Sequence, residues 1–493
     1  MDDSGFEYTV IVRDGKYVSA RAHYADGRVP EEPEQEIDQS PLQRDTIRIL
    51  QDWLNRWGVL SRHAGQYEKL YVPGTFKLLG QYLYELLFPE PIADGFDKAK
   101  DEAEKQEASL RVVLRFEQGG DGPDEFAALP WEFLYHPPAV GRDGFFIAVE
   151  TNLSLSRRIE FGGNPPELPR GPLPLRILFV VSTPKSLTDV AGTLGIRVSD
   201  GQGKEYSADR NELIAFLAEY QDDASRLQVR TIVSWDPSRI RGALASEPGY
   251  NIIHLVGVCR TTSDDVEMAL PGEDGVTCWQ GSRSVVDLLS NETRGRRPGL
   301  VVLHLCEVRP DDYTATFERL APKLVRAGFP AVLAMQYPLP TRDATEFTVK
   351  FYELLTAREE MIGQAVQKAR RTLVHPSGDD RLFGTPVLYL QSVDGQLVRT
   401  ATISLEASTV ADSFGTRPAT LADRLRQAVR RFAPDEATSQ YFENWIDGAD
   451  WTADRSVIEQ EILTQRRDDT EQARHGPVYN GMLAIVQDSG APR

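Results

Sequence analysis

Hydrophobic and polar positions change rhythm twice along the chain. Near the start, Phe6-Glu7-Tyr8-Thr9-Val10-Ile11-Val12 and Tyr17-Val18-Ser19-Ala20-Arg21-Ala22 read as two strands. Asp14-Gly15 between them is a hairpin turn signal. Residues 30–41 hold Pro30, Pro33 and a run of acids, which predicts a solvated loop. Ile47, Leu50, Trp53 and Leu54 share one stripe and predict a helix over 46–57. Phe76, Leu79, Leu83, Leu86 and Leu87 predict a second over 75–87, stopped by Pro89 and Pro91. A strand over 110–116 follows.

From Pro174 onward, short apolar runs alternate with amphipathic ones. Strands are predicted over 176–181, 230–233, 251–256, 300–306, 331–335 and 386–390. Helices are predicted over 209–220, 237–246, 284–289, 316–327, 341–357 and 362–374, with a polar, hairpin-like segment over 264–276. Such alternation means an α/β fold whose sheet is mostly parallel and carries helices on both faces. Small polar residues then predict a linker, and beyond it the pattern is helical. Leu421, Leu425 and Val429 share a stripe, and further helices are predicted near 437–446, 454–464 and 481–486. The organisation expected is an N-terminal α+β region over 1–165, an α/β core over 166–400, a linker over 401–418 and a helical docking domain over 419–493.

Composition narrows the possible roles. The chain has 493 residues, 74 Asp and Glu against 55 Lys and Arg, a formal charge of −19 and three Cys. A polyanion binder needs a basic face, so nucleic acid is not an expected partner. The first residues are acidic and no apolar run approaches the ~18 residues of a membrane span, so no membrane association and a cytoplasmic location are expected. Three cysteines make no disulfide framework and fit a reducing compartment. There is no phosphate-binding Gly-rich loop, no His-Glu-x-x-His and no Cys-x-x-Cys, so neither cofactor nor metal is expected.

In open α/β sheets, sites lie at the carboxyl ends of strands. Two predicted strands end in reactive residue types: His254-Leu255-Val256-Gly257-Val258-Cys259 and His304-Leu305-Cys306-Glu307. A nucleophilic thiol needs a nearby base and backbone N–H donors for the oxyanion. Here the residues carry a resemblance. Leu129-Pro130-Trp131-Glu132 resembles the signature of CHAT domains, caspase-like modules first noted beside TPR repeats. The segments 175–184, 251–257, 301–307, 324–336, 351–355, 365–373 and 383–390 follow in the family's order. The likeness runs with gaps from about residue 75 to 392.

The resemblance implies a caspase-like three-layer sandwich and a Cys/His dyad that cleaves peptide bonds. The family's nucleophile falls on Cys306, with Glu307 after it. Its His lies in a Gly-His-Gly element, which here reads Gly257-Val258-Cys259. Val258 takes the general-base position, and Cys259 the position of a pocket glycine. Valine accepts no proton. His254 and His304 are substitute bases only weakly: the first is four residues before Val258, and the second two before Cys306. Each has a competing reading as a core histidine. Cys278, beside Trp279, reads as packing. Trp131 reads as an anchor and Glu132 as the partner of a buried base. The function expected is a protein degenerate at the catalytic base, a pseudoenzyme-like signalling or adaptor component, or a conditionally active one, of a prokaryotic signalling or defence pathway. It would bind a protein partner or peptide, with 419–493 as the docking module. The alternative is an active cysteine endopeptidase using Cys306 with a non-standard His base.

Overall fold

The computed structural model describes residues 5–37, 74–117, 126–138, 143–160, 165–182, 226–233, 237–246, 249–262, 265–271, 277–291, 297–307, 315–337, 339, 341–374, 381–392, 395–398 and 436–448, with isolated helical positions at 45, 49, 425, 429 and 462. The chain divides into two compact units, 1–399 and 400–493.

The first unit opens with β1 (Glu7–Arg13), β2 (Tyr17–His23) and β3 (Glu31–Glu36). Asp14 and Gly15 both take positive φ in the three-residue connection that pairs Arg13 with Tyr17. Helices α1 (Thr75–Leu87) and α2 (Glu90–Lys105) come next. They are followed by β4 (Leu110–Glu117), a 3-10 turn at Trp131–Phe133, β5 (Tyr135–His136), β6 (Phe145–Phe146) and β7 (Leu153–Glu160). Then come β8 (Leu175–Ser182), β9 (Leu227–Val233), α3 (Pro237–Leu244), β10 (Ile252–Thr261), β11 (Val266–Pro271), β12 (Thr277–Gly281) and α4 (Ser282–Asn291). The unit ends with β13 (Leu300–Glu307), α5 (Ala315–Arg326), β14 (Ala331–Met335), α6 (Thr341–Ala357), α7 (Ile362–Arg370) and β15 (Pro386–Leu390). In the second unit α8 covers Glu436–Gly448, where the pattern predicts a helix, and buries Phe442 and Ile446.

Among the described residues thirteen strands form one sheet, in the order β3-β2-β1-β4-β7-β15-β14-β13-β10. The first half of β10 pairs on with β8, which pairs in turn with β9, and the end of β10 pairs with β11 of the β11–β12 hairpin. Strands from both sides of residue 165 share this sheet. β14, β13, β10, β8 and β9 are parallel to one another, as the alternation predicts.

Two apolar cores flank this parallel part. Ile177, Phe179, Ile252, Val302 and Leu333 pack with Phe347, Phe351 and Leu355 of α6 and Ile362 and Val366 of α7. On the other face Leu178, Ile253, Leu255, Val301 and Leu303 pack with Ile240 of α3, Val285 of α4 and Leu320 of α5. The fold is a mixed α/β sandwich whose large sheet is flanked by helices.

Three expectations change. The Pro-containing acidic run is not a loop: residues 31–36 form edge strand β3. An edge strand accepts Pro and charge because its outer hydrogen bonds are not needed by a neighbour. Helix α1 ends at Leu87 as predicted, but Pro91 then falls in the first turn of a further helix, α2, that the pattern does not predict; there its missing N–H is harmless. Strand β7 has no counterpart in the pattern, because Ser154, Ser156 and Arg157 are buried polar residues where apolar ones would signal a strand. The helices predicted over 46–57, 209–220, 454–464 and 481–486 and the linker over 401–418 lie outside the described stretches, apart from single helical positions at Ile49 and Ile462.

Candidate functional site

The site is set by two neighbouring parallel strands that run in step. Val256 is opposite His304, Gly257 opposite Leu305, Val258 opposite Cys306 and Cys259 opposite Glu307. Adjacent strands are about 4.8 Å apart. Successive positions on a strand alternate faces. Positions 254, 256 and 258 therefore fall on one face together with 302, 304 and 306, the face covered by α6 and α7. The register thus brings Cys306 and Val258 to one level, and the residue at the level of the nucleophile position is a valine.

Cys259 is not part of this juxtaposition. It is fully buried in the opposite core, with Leu255, Met268 and Leu305. Expected to border the pocket, it falls one residue past Val258 and so faces away. Cys278 also departs from its packing assignment, being exposed on β12.

Below position 306 on the same face lies an aromatic stack. The rings of His304 and His254 are 6.3 Å apart and inclined by 14°. His254 is fully buried, its Nδ1 2.9 Å from the Tyr352 hydroxyl of α6, with Phe179 edge-on at 4.9 Å. Burial, reinforced by His304, holds the His254 imidazole well below the ordinary histidine range. Burial raises the pKa of the Tyr352 hydroxyl, which keeps its proton. His254 is thus a neutral ring fixed by one hydrogen bond. His304 is half-buried, two residues before Cys306 on the same strand.

The Leu-Pro-Trp-Glu segment reaches the neighbouring strand end. Trp131 is buried against Phe116 and Phe126, and its Nε1 donates to the Phe126 carbonyl at 3.1 Å. Glu132 pairs with Arg157 of β7, the buried base that the sequence leaves unnamed. It also accepts from Gln336 Nε2 at 3.0 Å. Gln336 directly follows β14, and the backbone N–H of Gln336 donates to the Thr385 carbonyl at 2.9 Å. Sequence reasoning missed Arg157, which lies in no recognised segment, and gave no role to Gln336 and Tyr352, which lie inside two of the segments in the family's order.

Among the described residues no group of His, Cys, Asp and Glu could hold a metal ion, and no helix is long and apolar enough to cross a membrane.

A comparison with protein families matches residues 77–449 to the CHAT domain. Among solved structures the chain is similar to the Arg-specific cysteine proteinase gingipain R, at 13% identity and a TM-score of 0.36, over 68% of this chain and 77% of that one. It is also similar to the separase–securin complex of Saccharomyces cerevisiae in two structures. One is at 10% identity and a TM-score of 0.36, over 80% of this chain; the other is at 10% and 0.35, over 79%. In both it spans only 30% of the matched chain. A comparison with curated proteins gives no match.

Proposed function

The chain belongs to the CHAT domain family, and from that premise we propose that it is a degenerate member, a cytoplasmic signalling or adaptor component that binds a protein or peptide through the inherited cleft. The observation that carries the reading is the register: Val258 stands opposite Cys306. General base catalysis needs a proton acceptor within about 3 Å of the nucleophile, directly or through one water. A valine supplies none. His254, four register pairs further down β10, is committed to Tyr352 and is hard to protonate. The resemblance to prokaryotic signalling and defence modules suggests the pathway class, and the region 419–493, which contains α8, is the natural recruiter of a partner.

A second reading rests on His304, which is half-buried and on the strand of Cys306. In that reading the protein is a cysteine endopeptidase with a non-standard base. Thiol reactivity separates the two. An unassisted cysteine has a pKa near ~8.5 and an activated one lies well below it. Labelling by iodoacetamide is to be followed across pH 5–10, with Cys306 located by peptide mass spectrometry. A midpoint near the unassisted value supports the degenerate reading. Rapid Cys306 labelling at pH 6, lost in His304→Gln, would refute it.

A further inference from the structure

Away from the Cys306 level, a second polar site lies where the two halves of the sheet meet. Glu7 of β1, Arg111 of β4 and Ser154, Ser156 and Arg158 of β7 line one cavity. Register brings them together: Glu7 is opposite Arg111, Arg111 opposite Ser154, and Arg115 opposite Arg158. The other wall comes from beyond the seam, with Ser392 after β15 and Gly363 in the first turn of α7. The cavity measures about 10 Å³, the space of about one water-sized sphere.

Charge in this cavity is not balanced by its own residues. Arg115 is matched by Glu117 at 2.9 Å and by Glu160. Glu7 is shared, 3.0 Å from Arg111 and 4.0 Å from Arg158. Both guanidinium groups are well covered, with side chains 15% and 17% exposed. Arg158 Nε has no hydrogen-bond partner among the described residues. Burial pulls the Arg158 pKa down, Glu7 and, more weakly, Glu160 push it back up, and the charges of Arg111 and Arg115 lower it. A covered cation whose nearest counter-ion is 4.0 Å away and shared is costly unless another negative group joins it. Guanidinium and hydroxyl donors around a small space are the chemistry that receives an anion.

We propose that this cavity binds a small anion, either chloride or one oxygen edge of a phosphate, clamped between β4, β7 and the start of α7. The bound charge completes the pairing of Arg158 and ties the amino-terminal strands to the α7 and β15 side of the sheet. It does not depend on whether Cys306 is catalytic.

The intact protein is to be melted at fixed pH and ionic strength in sodium gluconate, which is too bulky for the cavity, with chloride or phosphate replacing it stepwise. The expected result is a midpoint that climbs by a few degrees with the logarithm of one anion's concentration, as binding to the native state alone requires. Chloride alone acting identifies the halide, and phosphate acting at lower concentration identifies the oxyanion. In Arg158→Gln the dependence disappears, and the variant in gluconate melts no lower than the parent. Equal midpoints in all three salts, or an unchanged anion dependence in Arg158→Gln, would overturn the proposal. Should Arg158→Gln not fold, line broadening by the unaltered protein decides: ³⁵Cl broadening reversed by phosphate, or ³¹P broadening of inorganic phosphate, supports the site, and the absence of both refutes it.

Discussion

Arg157 and Glu132 form an ion pair in which both side chains are 0% exposed. Arg157 Nε donates to Glu132 Oε1 at 3.0 Å, and Arg157 Nη1 donates to the Ala127 carbonyl at 2.7 Å. The pair lies at the seam of the sheet, where the described register between β15 and β7 is Tyr389 with Arg157. Side chains do the joining there. Arg370 of α7 donates to the Pro386 carbonyl at 2.8 Å and to the Leu155 carbonyl at 3.3 Å. Gln367 accepts from the Leu155 N–H at 3.3 Å and donates to the Ile147 carbonyl at 2.7 Å. Burial lowers the Arg370 pKa to about 10, with Glu132 opposing and Arg157 adding to the fall. One carboxylate thus serves two buried guanidinium groups.

Removing that carboxylate leaves two buried cations facing each other. Glu132→Gln is nearly the same size, so packing is kept and only charge is lost. Breaking one side of a buried pair costs about 3–5 kcal/mol. Urea unfolding of the variant is expected to show an unfolding free energy lower by that amount. A change within about 0.5 kcal/mol, the level of an ordinary surface substitution, would mean that the pair adds nothing to the seam.

The pair also shows which parts of the molecule the sequence discloses. Glu132 was legible because it sits in a recognisable segment, and the parallel strands β8, β10, β13 and β14 were legible because both faces are apolar. Arg157, Gln367 and Arg370 were not. They are polar residues held inside by backbone carbonyls and N–H groups of distant segments, and no periodicity announces such partners. At the candidate site the sequence supplied the two strand ends and their order. The step-by-step register came only with the structure, and it moved Cys259 to the far core while keeping Val258 level with Cys306.

Gly80 of α1 tests the anchoring of the Leu-Pro-Trp-Glu segment separately. A Cβ there would lie 2.6 Å from the Tyr135 Cβ and against the Phe133 carbonyl, both too close for real contacts. Gly80→Ala gains helix propensity but must push the helix off the 3-10 turn. Overpacking of this kind costs about 1–3 kcal/mol. Thermal unfolding is expected to show a net loss of stability, and a higher melting temperature than the parent's would disprove the close approach.

His254 makes stability depend on pH. Its folded pKa lies well below the unfolded value of 6.5. Between those two values the unfolded chain binds a proton that the native state refuses. The contribution is therefore complete above about pH 6.5–7 and drains away as the solution is acidified, with a slope of up to about 1.4 kcal/mol per pH unit, until the folded pKa is reached. His304 is the titratable group stacked on this ring, and carboxylates elsewhere titrate in both proteins compared. His254→Gln keeps a hydrogen-bonding partner for Tyr352 but does not titrate. The stability difference between parent and variant is expected to shrink steadily from pH 7.5 to pH 5.5. A difference that stays constant over that window would place the imidazole pKa in the ordinary range.

The strongest consequence of the register concerns Val258 itself. The strands already hold this position opposite Cys306, so a histidine placed there starts one strand spacing, about 4.8 Å, from the cysteine backbone. General base assistance is worth roughly 10²–10⁴-fold. Val258→His is therefore expected to lower the apparent pKa of Cys306 and to raise its rate of alkylation at pH 6.5 by at least tenfold. A peptide library should show cleavage by the variant where the parent shows none. Cys306→Ala in the same background must abolish both effects. If alkylation at Cys306 is no faster in Val258→His, and the variant melts within a degree of the parent, the two positions do not communicate and the lost-base account fails.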